Sequence, residues 1–214
     1  MKNLIETAAG RKSADLVLKN CQIVNVYSSE IESGDIAIVD GKIVGIGSYD
    51  GDFIFDPLKD ICKVAVIERH HETGKIGLGF LGGYGIKSGA VAISVAHDSH
   101  NIIVAGVNNG DMAFAVEKLI EMEGGMILVK NGKIISSLPL PIAGIMSDKS
   151  GEFIAEELEK LHEKAHSELG ISKNVEPIMT LTFMSLSVIP EIKLTDRGLF
   201  DYEKFDFIDV EVSK

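Results

Sequence analysis

The sequence predicts an α+β fold, mixed α/β in element order, with a β-sheet core, hairpins and two to three helices. Three observations carry this expectation. Apolar, β-branched runs at Lys63 to Ile67, Ala90 to Ala96 and Ile102 to Val107 have the length and composition of buried strands. Two segments keep helical apolar spacing, Ala115, Leu119 and Met122 in the first and Ile154, Leu158, Leu161, Ala165 and Leu169 in the second. Two strand pairs are joined by hairpin dipeptides, Asp40-Gly41 and Asn131-Gly132, which supply the positive φ angles of a two-residue turn.

In chain order, a short N-terminal segment with helical potential precedes a strand over Ala14 to Val26, and Ile36 to Ile46 reads as the two strands about Asp40-Gly41. Ser48 to Asp60 is polar, contains Gly51 and Pro57, and marks a boundary between a first unit at 1–51 and a second at 52–214. The second unit begins with the strand ending at Ile67. A run rich in glycine follows, with glycines at 74, 77, 79, 82, 83, 85 and 89. It lacks both the Gly-Lys-Ser/Thr ending and the strand-to-helix frame of a phosphate loop, so tight turns and close backbone packing explain it better. A helix starts near Asp111 after Asn108-Asn109-Gly110 and stops at Gly124-Gly125. The hairpin Met126 to Ile135 comes next, then a helix from Lys149 to Leu169 and an apolar strand from Ile178 to Ile189.

Composition excludes several classes of function. Lys and Arg total 21 against 32 Asp and Glu, so the net charge is −11 and the chain repels a phosphate backbone; no nucleic-acid partner is expected. No apolar run reaches the roughly 20 residues that span a bilayer, and Met1 to Lys12 has no leader pattern, so a cytoplasmic protein is expected. Cys21 and Cys62 lack close-spaced partners and read as reduced, structural thiols.

Four of the six histidines fall in two short loops, Glu68-Arg69-His70-His71-Glu72-Thr73-Gly74 and His97-Asp98-Ser99-His100-Asn101. Imidazole titrates near neutrality and ligates transition metals. Facing loops could offer His70, His71, His97, Asp98 and His100 to a Zn, Mn or Fe ion, with Glu68, Arg69 and Asn101 as substrate or interface residues. The competing reading is that these imidazoles tie tight loops to backbone carbonyls. His162-Glu163-Lys164-Ala165-His166 matches H-E-x-x-H, but Glu157, Glu159, Lys160, Lys164 and Glu168 around it describe an exposed helix flank, not a cleft. Asp148 and Asp196 read as cap or turn residues.

Four blocks, in order, resemble the C-terminal domain of bacterial adenine deaminases of the amidohydrolase superfamily: Val66 to Gly77, Val95 to Ile102, Leu138 to Gly144, and Met179 to Phe183 followed by Val188-Ile189-Pro190. Ala14 to Asn20 and Asp35 to Gly47 resemble the N-terminal β-segment of the same enzymes. The resemblance implies metal-dependent hydrolysis of adenine to hypoxanthine and ammonia, with Mn or Fe held in a TIM-type barrel between those segments. Such a barrel takes about 250 residues. Only 14 residues separate Gly47 from Cys62, and no two histidines are separated by a single residue, so no barrel is expected in this chain. The expected role is therefore that of the deaminase's non-barrel parts, with negligible turnover alone. An accessory or assembly module that binds metal, purine or a barrel-containing partner, and a remnant without ligand, are the alternatives. Apolar surface freed of a barrel would favour homo-oligomers.

Overall fold

The computed structural model describes residues 14–25, 30–39, 42–47 and 55–208, and the chain divides into units at Met1–Ile54 and Phe55–Lys214. The first unit contains an antiparallel meander, β1 (Leu16–Asn25), β2 (Glu30–Val39) and β3 (Lys42–Gly47), with Ala14, Ala37 and Val39 buried. Val39 pairs with Lys42 as a hairpin about Asp40-Gly41 requires. The dipeptide itself, the helical potential before Ala14 and the polar residues 48–54 lie outside the described residues.

The second unit is built on a six-stranded, wholly antiparallel sheet of order β5-β4-β7-β6-β8-β9. Its strands are β4 (Ile61–Ile67), β5 (Ile76–Gly82), β6 (Ala90–Ile93), β7 (Ile102–Gly106), β8 (Gly125–Lys130) and β9 (Lys133–Pro139). The central strands read as unbroken apolar runs because both faces are covered. Side chains alternate between faces, so Val64 and Val66 join one core with Val91, Ile93, Ile103 and Leu128, while Ala65 joins the other with Ala92, Val104 and Ile127.

Helix α1 (Asn109–Glu121) covers β6, β7 and β8 on the second face through Met112, Ala115 and Leu119. Asn108 caps it by accepting from the amide of Asp111 at 2.8 Å, so the helix starts two residues before the expected Asp111. The Asp111 carboxylate in turn accepts from the amides of Asn131 and Gly132 and fastens the helix start to the β8–β9 turn. That turn has φ of 53° at Asn131 and 67° at Gly132, the two left-handed residues foreseen for Asn-Gly.

The opposite face is covered in three pieces. Helix α2 (Gly151–Ser167), capped by Ser150, lies on β9; α3 (Pro177–Thr182) lies on β6 and β7; and a meander of β10 (Ile192–Thr195), β11 (Gly198–Asp201) and β12 (Asp206–Ile208) packs on β4 and β5. Leu161, Ala165, Leu169, Ile178, Leu181 and Leu194 fill the space between, and each fully buried leucine or isoleucine contributes about 1.5–3 kcal/mol.

One expectation is corrected, and two features are added to what the sequence predicts. Ile178 to Ile189 is not a strand: Glu176 accepts at the N-cap and Pro177 presets the first helical φ, so the apolar residues wind into α3. The glycine-rich run contains a strand, β5, with glycine where the meander approaches; a Cβ at Gly77 would lie 1.8 Å from the Thr195 carbonyl oxygen. The meander after Pro190 had no counterpart in the sequence reading. Three helices and antiparallel sheets, with no closed barrel among the described residues, make the fold α+β.

Candidate functional site

β4 and β7 are antiparallel neighbours, with Ile67 opposite Ile102, so the loop leaving β4 and the loop entering β7 emerge side by side from one end of the sheet. These are the two histidine loops. Glu68 organises the first. Its side chain is 8% exposed and accepts from the amides of His70, His71 and Thr73 and from the Thr73 hydroxyl at 3.0 Å. Burial alone would raise its pKa, but hydrogen bonds from Thr73, His70 and His71 outweigh it and hold the carboxylate at about 2. Glu68 is thus a fixed anion closing its own loop.

Arg69 joins three loops. Its Nε donates to the His100 carbonyl and its Nη2 to the Ala143 carbonyl at 2.8 Å, while the guanidinium passes over Gly144, whose φ is 73°. Ser94 holds the third loop from beneath, its hydroxyl donating to the Gly144 carbonyl and accepting from the amide of Gly125 at 2.7 Å. The second loop is tied to α3: the His97 amide donates to the Thr182 carbonyl at 3.0 Å and its ring lies 5.0 Å from that of Phe183. Asn101, 4% exposed, donates Nδ2 to Asp196 Oδ1 at 3.1 Å and reaches the β10–β11 turn. Asp196, read from sequence as a cap or turn residue, is the partner of that amide. Sequence reading also passed over Ser94, which lies outside the four blocks, and Ala143, Gly144 and Thr182, whose signal lay in the Leu138 to Gly144 and Met179 to Phe183 blocks.

The imidazoles have separate partners. His70 Nε2 lies 2.7 Å from the Ser99 carbonyl, His71 Nδ1 lies 3.3 Å from Glu68, and the rings of His97 and His100 are 6.2 Å apart. Asp98 is exposed and lines a cleft together with Asp196. Among the described residues no three His, Cys, Asp or Glu side chains are arranged to hold a metal ion. The donor set of His70, His71, His97, Asp98 and His100 does not fit a Zn, Mn or Fe centre in this arrangement. On α2, His162 Nε2 lies 2.7 Å from Glu176 Oε1 and His166 Nδ1 lies 3.1 Å from the Ile171 carbonyl, so the H-E-x-x-H residues tie α2 to the segment that follows it.

All four resemblance blocks therefore meet at this end of the sheet. Residues 38–206 match the family model of the adenine deaminase C-terminal domain. The chain belongs to that family. It is 57% identical over 171 residues to adenine deaminase 2 of Desulfotalea psychrophila, covering 79% of this chain and 30% of that protein. Adenine deaminase of Ligilactobacillus salivarius is 48% identical over 184 residues, covering 83% and 32%, and that of Clostridium botulinum strain Loch Maree is 51% identical over 159 residues, covering 74% and 26%. The chain thus spans about a third or less of the curated relatives it matches. Within this C-terminal domain family fold, what the site offers chemically is a rigid set of loops bearing one fixed carboxylate, one fixed guanidinium and four imidazoles.

Proposed function

We propose that this chain serves the hydrolysis of adenine as the C-terminal part of an adenine deaminase, and that its own contribution is to present the loop end of the six-stranded sheet to the catalytic part. In that reaction water adds its oxygen to C6 of adenine, the bond from C6 to the exocyclic nitrogen breaks, and ammonia leaves hypoxanthine behind. The observation that carries the reading is the convergence of the four family-like blocks at one end of the sheet, three of them joined by Arg69 and the fourth by the bond from the His97 amide to the Thr182 carbonyl. Such cross-bracing holds polar groups at fixed positions, which suits a surface that closes over a substrate or seats a neighbouring domain. Mn or Fe in the complete enzyme is part of the proposal, as is a cytoplasmic setting. No helix among the described residues is long and apolar enough to cross a membrane.

The test is adenine-to-hypoxanthine conversion followed by ultraviolet absorbance, with the full chain loaded in turn with Mn, Fe and Zn. Alone it should give no turnover. Mixed with Desulfotalea psychrophila adenine deaminase 2 lacking its own C-terminal domain, it should restore activity. Turnover by the chain alone that is lost with His97→Ala, or no restoration in the mixture, overturns the reading.

One observation favours the assembly module as a second reading. α1 stops short of β4 and β5 on its face of the sheet, leaving Ile76, Leu78 and Phe80 more than half exposed in a row along the edge strand. Three large apolar side chains on an edge favour self-association. A sizing column that returns a monomer across concentrations removes it.

A further inference from the structure

On its face of the six-stranded sheet, α1 lies over β6, β7 and β8 and leaves β4 and β5 without a helix among the described residues. Side chains alternate between the two faces of a strand, so Ala65 opposite Leu78 and Ile67 opposite Ile76 turn toward this side. Ile76 is 54% exposed and Leu78 65%. The strip runs beside α1 as a trench. One end is a groove of about 300 Å³ lined by Leu78, Phe80 and Met112, and the other a groove of about 350 Å³ lined by Ile67, Leu119 and Ile120. Two strands at a spacing of about 4.8 Å give a width of about 10 Å, the diameter of one helix. The seven residues of β4 give a length of about 24 Å, which a helix of about 16 residues spans.

The two ends differ in charge. At the loop end Glu72 and Glu123 line the groove with Arg69 and with Glu68, whose carboxylate is taken up by its own loop; at the other end stands Lys63. A helix presents a positive N-terminus and a negative C-terminus, so one laid with its N-terminus toward Glu72 and Glu123 matches both ends. A second copy of this chain is a poor source of that helix. Each chain has a net charge of −11, and α2 exposes Glu152, Glu156, Glu159 and Glu163. The chain spans about a third or less of its relatives, and the remaining length is a source of further helices. We infer that the strip over β4 and β5 seats one amphipathic helix from the part of the deaminase that this chain does not contain. Its apolar side chains, at i, i+3, i+4 and i+7, lie against Ile67, Ile76 and Leu78, with a basic residue near its N-terminus. This names the contact through which the chain meets the catalytic part, and it rests on the deaminase reading for the owner of the helix.

The probe is a fluorescently labelled synthetic helix of about 16 residues, with leucines at that spacing and lysines on the opposite face. Titrated with the full chain and followed by anisotropy, it should bind saturably and roughly tenfold more tightly than a scrambled peptide or one with glutamate in place of lysine. Leu78→Asp should weaken binding roughly tenfold, the scale of one leucine lost from an interface. Phe153→Asp, at an exposed apolar position on α2, should leave it unchanged. Glu72→Gln combined with Glu123→Gln should weaken it about threefold and reduce its dependence on salt. Circular dichroism and the melting temperature check that each variant is folded, and Ile76→Asp reads the same strip if Leu78→Asp does not fold. In the mixture with the shortened Desulfotalea psychrophila enzyme, Leu78→Asp should raise the concentration of chain needed to restore turnover about tenfold and leave the maximal rate unchanged. Absence of saturable binding, equal binding by the scrambled peptide, or an equal loss with Phe153→Asp overturns the inference. So does a dimer on a sizing column that Leu78→Asp dissociates, because a second copy then fills the strip. Turnover restored equally by Leu78→Asp removes the helix seat and keeps the deaminase reading. Helix binding at Leu78 with no turnover restored by the unaltered chain overturns the deaminase reading, and with it the owner of the helix.

Discussion

Asn101 donates its side-chain amide to Asp196 across 95 residues of sequence, joining the loop that enters β7 to the turn of the C-terminal meander. Asn101 is almost wholly buried and Asp196 half-buried. Asn101→Ala removes a hydrogen bond to a charged acceptor and should cost about 2 kcal/mol in urea unfolding. Asn101→Asp should cost more at pH 7, because it sets a second carboxylate against the first. Adding Asp196→Asn to the Asn101→Asp variant removes the second charge and should recover most of the difference between the two. A difference that persists in that double variant would mean that packing, not charge, decides the position.

Glu68 sets an acid limit on the first loop. Its pKa falls from the ordinary 4.5 to about 2 because amide and hydroxyl donors bind the carboxylate in the folded chain. A carboxyl group depressed on folding adds stability that is fully present above its unfolded pKa and is lost as pH drops through the folded one. The contribution should therefore be complete above about pH 5 and decline from 4.5 toward 2. Glu68→Gln should flatten the stability profile in that window and speed hydrogen exchange at the amides of His70, His71 and Thr73. An unchanged profile would assign the acid response to other carboxylates.

The sheet was legible in the sequence because its strands are buried on both faces. Val64 to Val66 and Ala90 to Ile93 show continuous apolar runs with nothing polar to confuse the period. Asn131-Gly132 and the Leu161/Ala165 spacing were equally plain, since each is decided locally. What could not be read is what tertiary contact decides. β5 is hidden by glycines whose purpose is to admit the Thr195 backbone, and α3 is hidden because its cap, Glu176, also meets His162 from another helix. At the site, the histidines stood out by composition, yet the groups that organise it are Glu68, Arg69 and Asn101. Their importance lies in bonds to backbone carbonyls, amides and a distant Asp, which leave no pattern along the chain.

Cys62 should behave as an inert thiol. Burial, assisted by the nearby Asp60 carboxylate and opposed by a backbone hydrogen bond, pushes its pKa up to about 12, and its side chain is 2% exposed. The thiolate is the reacting species. In a Cys21→Ser variant at pH 8, labelling by a thiol-reactive disulfide should proceed no faster than unfolding of β4 and should accelerate with urea in step with it. Rapid labelling of the native chain would show that β4 opens locally.

Two glycines separate close approach from turn strain. Gly77 has no room for a side chain, because a Cβ there would meet the Thr195 carbonyl oxygen at 1.8 Å. Gly77→Ala must push β10 off β5, separating Leu194 from the core, and should cost about 3 kcal/mol, at the upper end of overpacking penalties. Gly74 has nothing within 4 Å of a would-be Cβ but sits at φ 68°. Gly74→Ala therefore pays only the left-handed backbone penalty, about 1 kcal/mol. The two also differ in what they disturb. Gly77→Ala displaces β10, which leads into the turn with Asp196, and should speed hydrogen exchange at the amides of β10 and β11, whereas Gly74→Ala should leave it unchanged. Equal stability losses, with exchange unaffected in both, would mean that the meander tolerates displacement from β5 and is held by the Asn101–Asp196 bond.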